Sequence, residues 1–122
     1  PGSVLREAVE HGLQREYGLP QYAGLVLHYD LTKPKGQRLV DLEISGQPLE
    51  LDRTYRLVTG SFTATGGEGY DMFPARIVFT SDDLVSTAFV NYFQQQEQVM
   101  LPGMGRQQPI QPAIKGLENS SK

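Results

Sequence analysis

The sequence predicts an α+β domain: a largely antiparallel or mixed sheet with helices packed on it. Three observations carry that expectation. Apolar residues recur at helical spacing at the N-terminal end, β-branched and aromatic runs fill the middle, and a second helical pattern follows them. At 122 residues the chain is one domain by length.

The elements read in order as follows. Val4, Leu5, Ala8, Val9, Gly12 and Leu13 share a helical face, Ser3 is placed to cap the first turn, and Gly18 to end the helix near Tyr17. Leu25 to Asp30 reads as a strand. The Lys33-Pro34-Lys35-Gly36 cluster reads as a turn, and Val40, Leu42 and Ile44 alternate with Asp41 and Glu43 in a second strand. Ser45 to Pro48 punctuates, and Thr54 to Thr59 reads as a third strand running into a glycine loop. Arg76 to Phe79 suggests a fourth strand. Ser81, Asp82 and Asp83 offer an N-cap for a helix to about Gln98, whose buried face would be Leu84, Val85, Ala88, Phe89, Tyr92 and Phe93. The domain is therefore expected over 1–101. Residues 102–122, rich in proline, glycine and small polar residues, are expected to form an extended or partly disordered tail.

Composition removes several functions. With no cysteine, disulfides and thiolate chemistry are excluded. Eleven basic residues against fourteen acidic ones, without a Lys/Arg cluster, leave no footprint for polymeric nucleic acid. No apolar run approaches the ~20 residues of a membrane-spanning helix. The two histidines, His11 and His28, lie in no metal-ligand spacing, so no metal site is expected within the chain. The start, Pro1-Gly2-Ser3, lacks an initiating methionine and a signal-peptide pattern, and reads as the inside of a longer protein, although a cloning scar or a processed start would look the same.

The densest local signal is Ser61 to Tyr70. Gly66, Gly67 and Gly69 open backbone conformations closed to other residues and let a ligand approach the main chain. Phe62 offers a π-face and Glu68 a carboxylate, which suits a nucleoside: a stacked base and a hydrogen-bonded ribose diol. The phosphate-loop pattern fails here, because lysine is missing and the acid would repel phosphate. The same residues also suit a tight turn, with Phe62 in the core and Glu68 a solvated charge.

Phe62-Thr63-Ala64-Thr65-Gly66-Gly67-Glu68-Gly69-Tyr70 resembles the Phe-x-Ala-x-Gly-Gly-Asp-Gly-aromatic signature of the C-terminal domain of the 5'-nucleotidase family. Gly2 to His11, Pro20 to Asp30, Gly46 to Leu49 and Thr54 to Arg56 are similar to further family blocks, in the family's order, over about residues 2–73. The resemblance implies a domain that binds the nucleoside end of a nucleotide between two aromatic rings. Catalysis would lie in a separate N-terminal metallophosphoesterase domain holding two divalent metals such as zinc or manganese, so this chain alone is not expected to be catalytic. By position Phe62 is one wall of the clamp, Glu68 replaces the aspartate on the ribose, and Gly66 and Gly67 shape the loop. Tyr22 or Tyr17 would supply the second wall, since Leu19 stands at the family's aromatic position. Glu68 is one methylene longer than aspartate, Ser61 replaces a frequent asparagine, and the family's phosphate-binding arginines lie upstream of this chain. An exported parent, periplasmic, extracellular or surface-attached, is implied too. Close alternatives are a same-family hydrolase of cyclic nucleotides, nucleotide sugars or a non-nucleotide substrate, and a non-catalytic interaction module. Dimerisation through an exposed sheet edge is a further expectation.

Overall fold

The computed structural model describes residues 1–14, 17–100 and 103–110. Helix α1 spans Gly2–Gly12, and strands β1 (Leu25–Tyr29), β2 (Leu39–Ile44) and β3 (Gln47–Pro48) follow. Next come the short helix α2 (Ser61–Ala64), two single 3-10 turns at Gly67–Gly69 and Pro74–Arg76, helix α3 (Val85–Gln95) and strand β4 (Gln107–Pro109). The sheet order is β3-β2-β1-β4, with β1/β2 and β2/β3 antiparallel and β4 parallel to β1. This is the mixed sheet of an α+β fold.

Helix α1 starts earlier than its sequence pattern suggests. Pro1 rather than Ser3 is the N-cap, and the Gly2 and Ser3 amides donate to the Arg53 and Leu51 carbonyls at 2.8 and 2.9 Å. Orphan donors of the first turn are thus satisfied by a neighbouring loop, and no side-chain cap is needed. The helix ends at Gly12, before the expected Tyr17. There the Arg38 guanidinium donates to the carbonyls of Leu13 (2.8 Å) and Gln14 (3.4 Å), a charged cap at the negative end of the helix. Glu10 accepts from the Arg38 and Leu39 amides at 2.9 and 2.6 Å, fixing α1 to the start of β2.

Alternation in β1 works as the sequence indicates, whereas in β2 a register shift opposite His28 and Tyr29 buries Leu39 and leaves Val40, expected on the apolar face, exposed. Leu25, Leu27, Tyr29, Leu39 and Leu42 form one buried cluster with Val9 of α1 and Leu13, its C-cap. Leu27 pairs with Leu42 at the centre. The other face carries His28, whose Nε2 meets Gln108 Oε1 at 2.9 Å and whose Nδ1 lies 3.6 Å from Asp41. Ser45 and Gly46, both at positive φ, form the two-residue turn into β3. The sheet edges are short, and β3 and β4 each end in proline, which leaves little ladder for a second copy to extend.

Three expectations fail beyond this core. Thr54 to Thr59 and Arg76 to Phe79 form no strands; Arg76 closes a 3-10 turn instead. No strand among the described residues pairs with either segment, so Val58 (95% exposed), Val78 (97%) and Phe79 (82%) face outward. β-branched composition reports fit to a pleated, half-buried surface, and here that surface is missing. Ser81 and Asp83 bond to each other and do not cap α3, which begins after Leu84 and ends at Gln95. None of its residues is buried, so the apolar stripe read as a core face is exposed. In the expected tail, Gln107–Pro109 is extended and joins the sheet; residues 101, 102 and 111–122 lie outside the described residues.

Candidate functional site

The glycine loop does not hang from a strand. After the exposed segment 54–60 the chain enters α2 at Gly60, whose carbonyl accepts from the Ala64 amide at 2.9 Å. Thr65 closes the turn: its amide and hydroxyl donate to the Ser61 carbonyl at 3.0 and 2.8 Å, and its hydroxyl also reaches the Phe62 carbonyl at 3.1 Å. The backbone then reverses through Gly66 (φ 100°), Glu68 (φ 55°) and Gly69 (φ 80°). A non-glycine residue in the left-handed region costs roughly 1–2 kcal/mol, least for asparagine and aspartate. Glu68 carries that cost without the short side chain that eases it.

This reversal folds the loop back onto Phe62. A Cβ built on Gly67 would sit 2.6 Å from the Phe62 carbonyl oxygen and 2.7 Å from both Cδ1 and Cε1 of its ring. One side of the ring therefore lies on bare backbone, and the side chain is 66% exposed. Phe62 is not a core residue, which removes the reading of the motif as a turn over a buried phenylalanine. The half-buried backbone of Gly67 is the seat of the ring, and Glu68 follows it directly in sequence.

The two tyrosines are placed differently. Tyr22 is half-buried, with its hydroxyl against α1, where a Cβ on Gly12 would stand 2.7 Å away. Its pKa is pushed well above the ordinary tyrosine value, first by burial and then by the nearby Tyr70 phenol. Tyr17 is exposed. Among the described residues no ring contact joins Phe62 to either tyrosine. Both instead line an open cleft of about 210 Å³ with Leu57, Thr63, Glu68 and Tyr70. The structure thus brings Tyr17, Tyr22 and Glu68 to one cleft, while Phe62 stands on the loop beside it.

Two residues that sequence reasoning passed over hold the loop. His11 Nε2 donates to the Glu68 carbonyl at 2.7 Å, and its ring meets Tyr70 edge-to-face at 4.6 Å. Tyr70 is buried and stacks on Phe73 at 5.5 Å with the planes 4° apart. Burial, and then the Glu68 carboxylate, raise the Tyr70 pKa, so its phenol stays neutral and is able to donate. Tyr70 was visible as the last residue of the motif, whereas nothing in the sequence links His11 to a loop 57 residues away. Among the described residues no three His, Asp or Glu side chains converge as metal ligands.

Comparison with known proteins follows the same residues. The family model described as 5'-nucleotidase, C-terminal domain, matches residues 1–75. A snake venom 5'-nucleotidase from Macrovipera lebetinus is 33% identical over 118 residues, covering 86% of this chain and 29% of its own length. The snake venom 5'-nucleotidase from Naja atra is 37% identical over 83 residues, 58% of this chain and 16% of its own. The crystal structure of a 5'-nucleotidase precursor from Thermus thermophilus superimposes with a TM-score of 0.80 at 25% identity, over 91% of this chain and 24% of that one. The chain spans less than a third of the length of each of these relatives.

Proposed function

This chain belongs to the 5'-nucleotidase family as its C-terminal domain, and from that membership we propose that it positions the nucleoside end of a nucleotide for a phosphoric ester hydrolase. The observation that carries the proposal is the Phe62 ring, exposed on one side and fixed on the other by the Gly67 backbone. A planar base stacked there would gain on the order of 1–3 kcal/mol. Glu68, adjacent to that seat, supplies a carboxylate able to accept from a ribose diol, worth roughly 1.5–3 kcal/mol for a charged acceptor. Gly66 and Gly67 keep the approach clear of side chains.

The contribution of these residues is binding and orientation. None of them is a nucleophile or a metal ligand, so bond breaking falls to residues outside this chain. Among the described residues no ligand cluster comes together; the two divalent metals that the family resemblance implies would be held by an N-terminal metallophosphoesterase domain of a longer protein. Tyr17 and Tyr22, which line the cleft beside the loop with Glu68, are the candidates for the second wall of the clamp. Two relatives are venom proteins by name, which supports an exported parent acting outside the cytosol. Among the described residues no helix is long and apolar enough to cross a membrane.

The test is a titration of the 122-residue chain with adenosine and with AMP, followed by NMR chemical shifts, beside Phe62→Ala. Loss of one stacked face predicts binding weaker by about 5- to 150-fold, the equivalent of 1–3 kcal/mol. Equal binding by the two proteins, or none by either, would overturn the proposal.

A further inference from the structure

We propose that His11 is a positioning residue of this site: from α1 it holds the Glu68 peptide in its left-handed conformation and so sets where Phe62 and the Glu68 carboxylate stand. The inference rests on the nucleoside reading of the loop. Glu68 at φ 55° and ψ 26° is strained for an L-residue, and such a conformation persists only where the surroundings over-determine it. Its neighbours Gly67 and Gly69 have no side chains with which to anchor the peptide. What fixes it is the hydrogen bond from His11 Nε2 to the Glu68 carbonyl at 2.7 Å.

The imidazole is closely contacted on the side that faces the loop. Gly69 lies so near that a Cβ there would be 3.0 Å from His11 Cε1 and 3.2 Å from Nε2. The ring edge meets Tyr70, which is itself stacked on Phe73, so the imidazole is held in place at the end of an aromatic row. A carbonyl accepts and cannot donate, so Nε2 carries the hydrogen. The Glu68 carbonyl belongs to the peptide that joins Glu68 to Gly69, so the bond fixes ψ of Glu68 and the entry to Gly69, next to the Gly67 that seats the Phe62 ring. One bond from α1 therefore braces the residue that carries the proposed carboxylate contact and that adjoins the seat of Phe62, although His11 touches neither base nor sugar.

A structural role alone would make His11 matter for stability only. The discriminating set is His11→Leu, which removes the donor, and His11→Gln, whose amide nitrogen reaches about as far as Nε2. Both are titrated with adenosine beside wild type and Phe62→Ala, well below their unfolding midpoints. The scalar coupling between the Glu68 amide and α protons is read in parallel as a report of its φ. The expected result is binding weaker by about 2- to 12-fold in His11→Leu, the span of one neutral hydrogen bond, with an altered Glu68 coupling and both restored in His11→Gln. Unchanged affinity and unchanged coupling in His11→Leu would overturn the proposal even if its midpoint falls. If wild type itself does not bind adenosine, the nucleoside reading fails separately, and the coupling decides the part of His11: altered in Leu and restored in Gln supports its hold on the loop, unchanged overturns it. If His11→Leu does not fold, His11→Gln carries the test, and a Glu68 coupling that departs from wild type in that folded, donor-retaining variant overturns it.

Discussion

Replacing Gly67 by alanine places a methyl group 2.6 Å from the Phe62 carbonyl oxygen and 2.7 Å from two atoms of its ring. Contacts that short do not persist, so either the ring leaves its seat or the loop backs away. Gly67 itself is not at positive φ, so alanine suits its backbone and the whole effect is steric. The ring, already 66% exposed, swings outward at small cost, but the Phe62 carbonyl is backbone and cannot, so the loop itself must also shift. The stability loss is therefore expected within the range of overpacking, about 1–3 kcal/mol, a midpoint lowered by several degrees or more. Binding suffers more, because a ring off its seat forfeits the stacked face, about 1–3 kcal/mol or 5- to 150-fold. Thermal unfolding by circular dichroism and adenosine titration by NMR measure the two effects. Gly66→Ala is the control: a methyl there meets nothing closer than 3.5 Å, but φ is 100°, so the cost is conformational, roughly 1–2 kcal/mol. It should destabilise comparably but leave the seat of Phe62 unobstructed. Adenosine affinity within twofold of wild type in Gly67→Ala would refute the idea that this glycine exists to seat Phe62.

Leu27, fully buried at the centre of β1, is expected to cost about 2–5 kcal/mol on replacement by alanine, a large share of the roughly 5–15 kcal/mol typical of a domain, read as a lower urea midpoint; a loss under about 1 kcal/mol would show that the α1–sheet core is not what holds the fold. Tyr22 gives a pH dependence. Its folded pKa is raised by burial, so its contribution is present below the ordinary tyrosine value near 10 and is lost as pH climbs from there toward the higher folded value. The urea midpoint should fall above about pH 10 and fall less steeply in Tyr22→Phe; identical alkaline limbs would place the hydroxyl in water.

The elements that could be read from sequence are those whose own pattern matches their own burial. β1 alternates because Leu25, Leu27 and Tyr29 join one core with Val9 of α1 and Leu13 just after it, whereas in β2 a register shift buries Leu39 and leaves Val40 exposed. β3 is two residues long, too short to have a pattern. β4 is Gln107-Gln108-Pro109, with no β-forming side chain, and exists because β1 offers a free edge 80 residues earlier: Leu27 donates to the Arg106 carbonyl, and Ile110 to that of Tyr29. Only the partner specifies such a strand. Segments 54–59 and 76–79 fail for the converse reason, with strand composition and no partner among the described residues. The loop motif was legible because three glycines around one acid are costly in an ordinary turn. The His11 bond was not, because a long-range contact to a backbone carbonyl leaves no mark on either stretch of sequence.

Exposure alone does not single out Phe62. Phe79 and Val78 are more exposed than it is, and the α3 aromatics Phe89, Tyr92 and Phe93 are nearly as open. What separates Phe62 is how it is held. Its ring is backed by Gly67, its carbonyl is bonded by Thr65, and the Glu68 peptide beside that seat is fixed by His11. The strained Glu68 and the close-packed Gly67 and Gly69 fall within three residues of one another, beneath a single exposed ring. Local rules broken together at one place, with neighbouring elements arranged to keep them broken, are what the proposed nucleoside site requires. An apolar side chain left outside by a missing partner needs no such support; a ring pre-set for a ligand does, because each degree of freedom removed beforehand is one the bound nucleoside does not have to restrict.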